Sequence, residues 1–144
     1  MNSYSILKQA HQKEVNEFPL CYAFNNKQFE EGMAKLGLTP DQTDKVFGTG
    51  SGGFYLRTDD DRLNKMFDRH RKQIRDAIDK DTISEEFILD MFNYELANHE
   101  FIITGDESDA INALGLSWDD IEKNQKLRHG LELAKKRQYE EHGK

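Results

Sequence analysis

The sequence predicts a mainly helical protein of the α+β kind: a single-domain bundle of about six helices over residues 1–144, with a minor two-stranded β piece. Three observations carry this. Apolar residues recur at the three- and four-residue spacing that places side chains on one helical face, most clearly at Leu63, Phe67, His70, Ile74 and Ile78. Only two short runs, 20–24 and 54–57, are rich in β-formers without that spacing. At 144 residues the chain has the length of one ordinary domain with one hydrophobic core.

The elements follow in order from their punctuation. Tyr4, Leu7, Ala10 or His11, and Phe18 mark a first helix over 3–18, capped by Ser3 or Ser5 and stopped by Pro19. Asn25 or Asn26 caps a second helix through Phe29, Met33 and Leu36, which Gly37 ends. Thr39 caps a short third helix opened by Pro40 and broken by GTGSGG at 48–53, after which the run 54–57 pairs with 20–24. Asp59 to Asp61 open a long helix, with acid at the positive end of its dipole. Thr82 or Ser84 caps the next, whose apolar side is Phe87, Ile88, Met91, Phe92, Leu96 and His99. Asp106 starts a short helix ending at Gly115, and Ser117 with Asp120 forms a capping box for helices from Trp118 to about Glu141. LGLTPDQTDK at Leu36 and LGLSWDDIEK at Leu114 echo each other, and shared helix-stop and helix-start chemistry accounts for both.

Composition bounds the function. Charged residues make up 33% and hydrophobic ones 36%, with a mean hydropathy of -0.86, polar for a globular chain but with nine Phe, five Tyr and one Trp to anchor a core. A net charge of -7 and a pI near 5.2 argue against direct binding of a nucleic-acid backbone, which needs clustered Lys and Arg. The single cysteine, Cys21, lies in an apolar run and is expected to be a buried thiol. The first residues lack a basic stretch leading into an apolar one, and there is no span of about 18 apolar residues, so a soluble protein of a reducing cytoplasm is expected.

Two helices offer an imidazole and a carboxylate to the interior at adjacent turns. On the first, His11 and Glu14 fall with Leu7 and Phe18; in YELANHEF, Glu95 and His99 stand four apart and fall with Ile88 and Phe92. Helix-borne Glu and His of this kind build metal sites between facing helices, and two nitrogens with two oxygens suit tetrahedral zinc. Three readings stay open: a zinc site of His11, Glu14, Glu95 and His99; a pair satisfied by hydrogen bonds; and acid/base catalysis. Four protein ligands would make a closed, structural site, and the paired-histidine signature of zinc proteases is absent. His70 reads as a core-edge group, His129 and His142 as solvated, and Asp106 as a helix cap or an outer partner of Glu95 and His99. GTGSGG lacks the lysine and the following helix of a phosphate loop and reads as a flexible turn.

HQKEVNEFP, QFEEGMAKLGL and FILDMFNYELANHEF together resemble a family of small proteins of unknown function carried by phages, prophages and other mobile elements of Gram-positive bacteria, over about residues 5–135. In that family a first-helix histidine and the Glu and His of the later segment are typical, here His11, Glu95 and His99, and Glu14 also fits. The resemblance implies a non-catalytic inhibitor of a host defence nuclease, of the anti-CRISPR type. It would bind a Cas effector by protein contact through an acidic surface. The alternatives are a small metal-dependent hydrolase built on the same residues and a metal-free assembly module.

Overall fold

The computed structural model describes residues 3–142 and shows eight α-helices, two single-turn 3-10 helices and three strands among them. The chain divides into two compact units, Ala10–Lys72 and Met1–Gln9 with Gln73–Lys144. Both divisions fall inside helices, α1 (Ser3–Glu17) and α3 (Asp60–Lys80), so each of these contributes to both units.

The first unit, mixed in structure, holds β1 (Leu20–Tyr22), α2 (Asn26–Lys35), β2 (Val46–Gly48) and β3 (Gly53–Leu56). The sheet is antiparallel in the order β1-β3-β2, with Cys21 opposite Phe54 and Phe47 opposite Tyr55. Pairing of 20–24 with 54–57 is as the sequence predicts, but β2 adds a third strand. Its three residues are too few to show an alternation in the sequence. GTGSGG is the turn of the β2–β3 hairpin: Gly50 and Gly52 hold positive φ of 88° and 89°, and Thr49 N–H donates to Gly53 O at 2.8 Å. Asn25 caps α2 by accepting the N–H of Gln28 at 2.8 Å. Buried Tyr55, Leu63 and Met66 form a core against which Val15, Phe18, Leu20, Phe47 and Phe67 pack.

The expected third helix is absent. Thr39 turns its hydroxyl to the Asp41 carboxylate instead of accepting from the backbone of a new helix, and the chain makes only a 3-10 turn at Thr43–Lys45. Its echo does start a helix: Ser117 accepts the N–H of Asp120 at 3.1 Å and the Asp120 carboxylate takes the N–H of Ser117 at 2.9 Å.

The second unit is helical: α4 (Phe87–Asn98), α5 (Phe101–Thr104), α6 (Ser108–Ala113), α7 (Trp118–Lys123) and α8 (Gln125–His142). Its centre is α4, whose Ile88, Met91, Phe92 and Leu96 are fully buried. Each such side chain contributes roughly 1.5–3 kcal/mol of burial. Tyr4, Ile78, Phe101, Ile111, Ile121, Leu127, Leu131 and Ala134 complete this core. The C-terminal stretch breaks at Asn124, whose side chain accepts the N–H groups of Lys126 and Leu127 and so starts α8.

Neither Thr82 nor Ser84 caps α4. Asp81, buried, does so: its carboxylate accepts backbone N–H groups from Ile83, Ser84, Glu86 and Ile88 at 2.9–3.3 Å. Ser84 adopts a φ of +63° to complete that loop. No helix among the described residues is long and apolar enough to cross a membrane.

Candidate functional site

In the helical unit, Glu95 lies in the middle of α4 with no solvent exposure. An unmatched carboxylate there costs several kcal/mol, so its neighbours decide its role. Two donors on α1, four residues apart and therefore on one face, converge on Oε2: the Tyr4 hydroxyl and the Lys8 ammonium, the latter at 2.7 Å. The Tyr4 ring meets Phe87 and Tyr94 edge-on, and the Lys8 ammonium lies 5.1 Å from the centre of the Tyr94 ring. Burial first, and the adjacent Glu95 carboxylate second, push the Tyr4 hydroxyl well above the usual tyrosine range, so it remains a donor.

The other oxygen, Oε1, is buried and makes no hydrogen bond. His99 Nε2 is 3.6 Å away, beyond hydrogen-bonding reach. His99 occupies the C-cap of α4, because Glu100 takes a left-handed φ of 57° and the chain restarts as α5. The helix, whose expected apolar side included His99, therefore ends at Asn98. Glu95 is satisfied on one side only, and by Tyr4 and Lys8, not by the histidine one turn away.

In the mixed unit, Glu14 receives two N–H donors from Arg69 in a fork and sits 3.1 Å from His70 Nε2. The His11 ring stacks on the buried His70 ring, centres 3.9 Å apart and planes 13° apart. Arg69, then His70, hold the Glu14 carboxyl down at about 2. Burial pulls His70 below its usual value, so a neutral imidazole with Nε2–H donates to a charged carboxylate that Arg69 balances.

The four ligand candidates thus occur as two pairs, each tied to partners of its own. Among the described residues no group of three or more His, Cys, Asp or Glu side chains is arranged to hold a metal ion.

Residues 3–137, which include both clusters, match the family of unknown function DUF7659. The chain belongs to that family. No curated protein and no solved structure matches the DUF7659 chain.

Four participants in the DUF7659 clusters were not singled out from the sequence as functional: Tyr4, Lys8, Arg69, and His70 in its pairing. The available signal was Lys8, a lysine one turn after Tyr4 beside the apolar Leu7. Asp106 accepts the N–H of Ser108 at 2.9 Å in a turn just ahead of α6, whose N-cap position is Glu107. Cys21 is half-buried, with Sγ 3.6 Å from Gly32 O, and burial raises its thiol.

Proposed function

We propose that this DUF7659 chain is a binding protein that works by protein contact in a bacterial cytoplasm, inhibiting a host defence nuclease such as a Cas effector on behalf of a phage or related mobile element. The observation that supports this reading is the segregation of charge. Between Lys80 and Lys123 the chain carries twelve Asp or Glu and not one Lys or Arg. Residues 10–72 hold ten of each sign, so the whole net charge of -7 belongs to the helical unit. A surface of that sign is complementary to the basic channels of nucleic-acid enzymes and speeds encounter with them.

The two clusters fit the same reading as parts of the scaffold. Glu95 and Glu14 are each engaged by cations of the chain itself, which fixes α1 to α4 in one unit and to α3 in the other. Size-exclusion chromatography of the pure protein with a panel of Cas effectors tests the proposal. Co-elution with one of them, together with loss of its cleavage, is expected; the absence of any co-elution overturns it.

One observation favours a second reading. The buried Glu95 Oε1 without a hydrogen bond, beside His99 Nε2, offers one oxygen and one nitrogen to a small cation, and zinc accepts both donor types. A closed shell would stabilise the fold, while an open position would permit metal-dependent hydrolysis. Elemental analysis of tag-free protein decides: stoichiometric zinc that disappears in His99→Ala supports it, and zinc-free protein of the same stability removes it.

A further inference from the structure

β1 is one edge of the sheet and β2 the other, and the chain treats the two edges differently. Cys21 stands opposite Phe54 and Ala23 N–H donates to Gly52 O at 2.9 Å, so Cys21 and Ala23 turn their backbone groups to β3 while Leu20 and Tyr22 turn theirs outward. On β2 the outward groups of Val46 are taken within the chain, its N–H by Thr43 O and its C=O by the Arg57 guanidinium at 3.3 Å. On β1 the Leu20 N–H donates to Phe18 O at 2.7 Å, but the Tyr22 N–H and C=O have no partner among the described residues. An open edge of this kind is a template for another strand. A groove of about 430 Å³ runs along it between β1 and α2, with Leu20, Tyr22, Phe24, Glu31 and Lys35 in its lining. Tyr22 and Phe24 are 53% and 77% exposed. Glu31 and Lys35, one turn apart on α2, form no ion pair with any described residue.

We infer that a second copy of the chain completes this edge: β1 pairs antiparallel with β1 of the copy about a two-fold axis at Tyr22, and the two sheets join into one. Such an axis requires a surface that matches itself in reverse, and three features do. Tyr22 offers one free N–H and one free C=O, and Tyr22 of the copy answers with the same two groups. Phe24, two residues further on, then lies across from Leu20 of the copy, which gives an exposed aromatic ring an apolar neighbour. Cys21 Sγ lies 3.6 Å from Gly32 O, so α2 rides on the same strand, and the axis brings Glu31 toward Lys35 of the copy and Lys35 toward its Glu31. Opposite signs at these two uncommitted positions favour the same surface run in reverse over a partner of one sign. The inference concerns assembly and stands apart from the reading of the chain as an inhibitor.

Sedimentation equilibrium of the full chain over a range of concentrations tests this, and a monomer–dimer equilibrium is expected. Glu31→Lys and Lys35→Glu each set like charges against one another across the axis and should each weaken the dimer by at least about tenfold. An equimolar mixture of the two variants restores opposite charges, so it should regain an affinity close to the parent's and lose it as salt rises. Tyr22→Pro removes an outward N–H that the sheet itself does not use, and should weaken the dimer more than Tyr22→Val, which keeps it. Positions 22, 31 and 35 are exposed, so circular dichroism of the variants should match the parent. A parent that stays monomeric at every concentration overturns the inference. So does a dimer indifferent to the single charge reversals, a mixture that associates no better than its components, or a folded Tyr22→Pro that dimerises as well as Tyr22→Val. The charge variants leave the backbone untouched, so they decide the matter even where Tyr22→Pro fails to fold.

Discussion

The Asp81 carboxylate accepts the N–H of Ile88 at 2.9 Å, seven residues further along the chain, and the N–H of Ser84 at 2.9 Å on the way. One buried side chain therefore gathers the loop between α3 and α4 and satisfies the first turn of the most buried helix of the molecule. Burial alone would raise the Asp81 carboxyl, but bonds from Ile88, Glu86, Ser84 and Ile83 together hold it below the usual carboxylate range. Asp81→Asn keeps the shape and loses the charge, turning charge-assisted bonds into weaker ones and setting an amide N–H against backbone donors. A loss of about 2 kcal/mol in urea unfolding is expected, in the range for bonds to charged groups. Because the folded value is depressed, this contribution is present above the unfolded value and disappears as pH falls through the folded one, so the variant should also lose part of the parent's stability gradient below about pH 4. A variant as stable as the parent at pH 7 refutes the assignment.

Glu95 and Lys8 make a sharper case, because the two ends of the pair differ in environment. The carboxylate side chain is fully buried while the Lys8 side chain is 38% exposed. Lys8→Met leaves Glu95 with only the Tyr4 hydroxyl. It should cost about 2 kcal/mol, less than the loss for breaking a fully buried pair, because water screens the ammonium. Glu95→Leu strands the Tyr4 hydroxyl in the core and should cost a similar amount. The combination of Lys8→Met with Glu95→Leu is expected to lie within about 1 kcal/mol of the parent, since apolar replacement of both ends of an ion pair is often neutral. Additive losses in the double variant would show that Glu95 matters through something other than Lys8.

His70 and Glu14 should give the protein a two-step acid response. The His70 imidazole is held below its ordinary 6.5 by burial, with the stacked His11 and nearby Arg69 adding to the effect and Glu14 opposing it. A group with a lowered folded value favours the unfolded chain as it protonates, so its stability is complete above about pH 6.5 and declines as pH falls below that. Glu14, at about 2 in the fold against an ordinary 4.5, acts in a lower window, its contribution fading from about pH 4.5 toward 2. Thermal unfolding from pH 8 to 2 should lose its upper step in His70→Gln and have its lower step reduced in Glu14→Gln. The first idea fails if the upper step survives in His70→Gln.

What could be read in advance follows how far along the chain the deciding interaction reaches. Pro19, the Asn25 cap, Gly37, Gly115 and the Ser117–Asp120 box act within a few residues, and helices begin or end at each as expected. Gly37 and Gly115 both hold positive φ, and in both the second leucine of LGL returns its N–H five residues back, to Met33 and to Ile111. The halves of the echo then part, because Thr39 finds Asp41 while Ser117 finds Asp120. The site pairs were legible only as same-helix neighbours. The groups that in fact engage Glu95 stand 91 and 87 positions earlier, and Arg69 stands 55 positions after Glu14. Helical periodicity places Glu95 and His99 on one face, but it does not reveal that Glu100 ends the helix there and leaves the imidazole at the edge.

Gly130 is a residue whose purpose only the packed structure explains. It lies in the middle of α8, where glycine is ordinarily about 1 kcal/mol worse than alanine. A Cβ at this position would fall 2.3 Å from Ile88 Cγ2 and 3.4 Å from Ser84 O, so the glycine is what lets α8 lie against the fully buried Ile88 of α4. Gly130→Ala should therefore destabilise by about 1–2 kcal/mol, the strain of overpacking exceeding the gain in helix propensity. Ile88→Ala alone should lose about 3 kcal/mol through the cavity it opens. Together the new methyl occupies part of that cavity and the clash is gone, so the double variant should be more stable than the sum of the singles by at least about 1 kcal/mol. Urea unfolding of the four proteins measures this coupling, and strict additivity would mean that Gly130 is held by something other than Ile88.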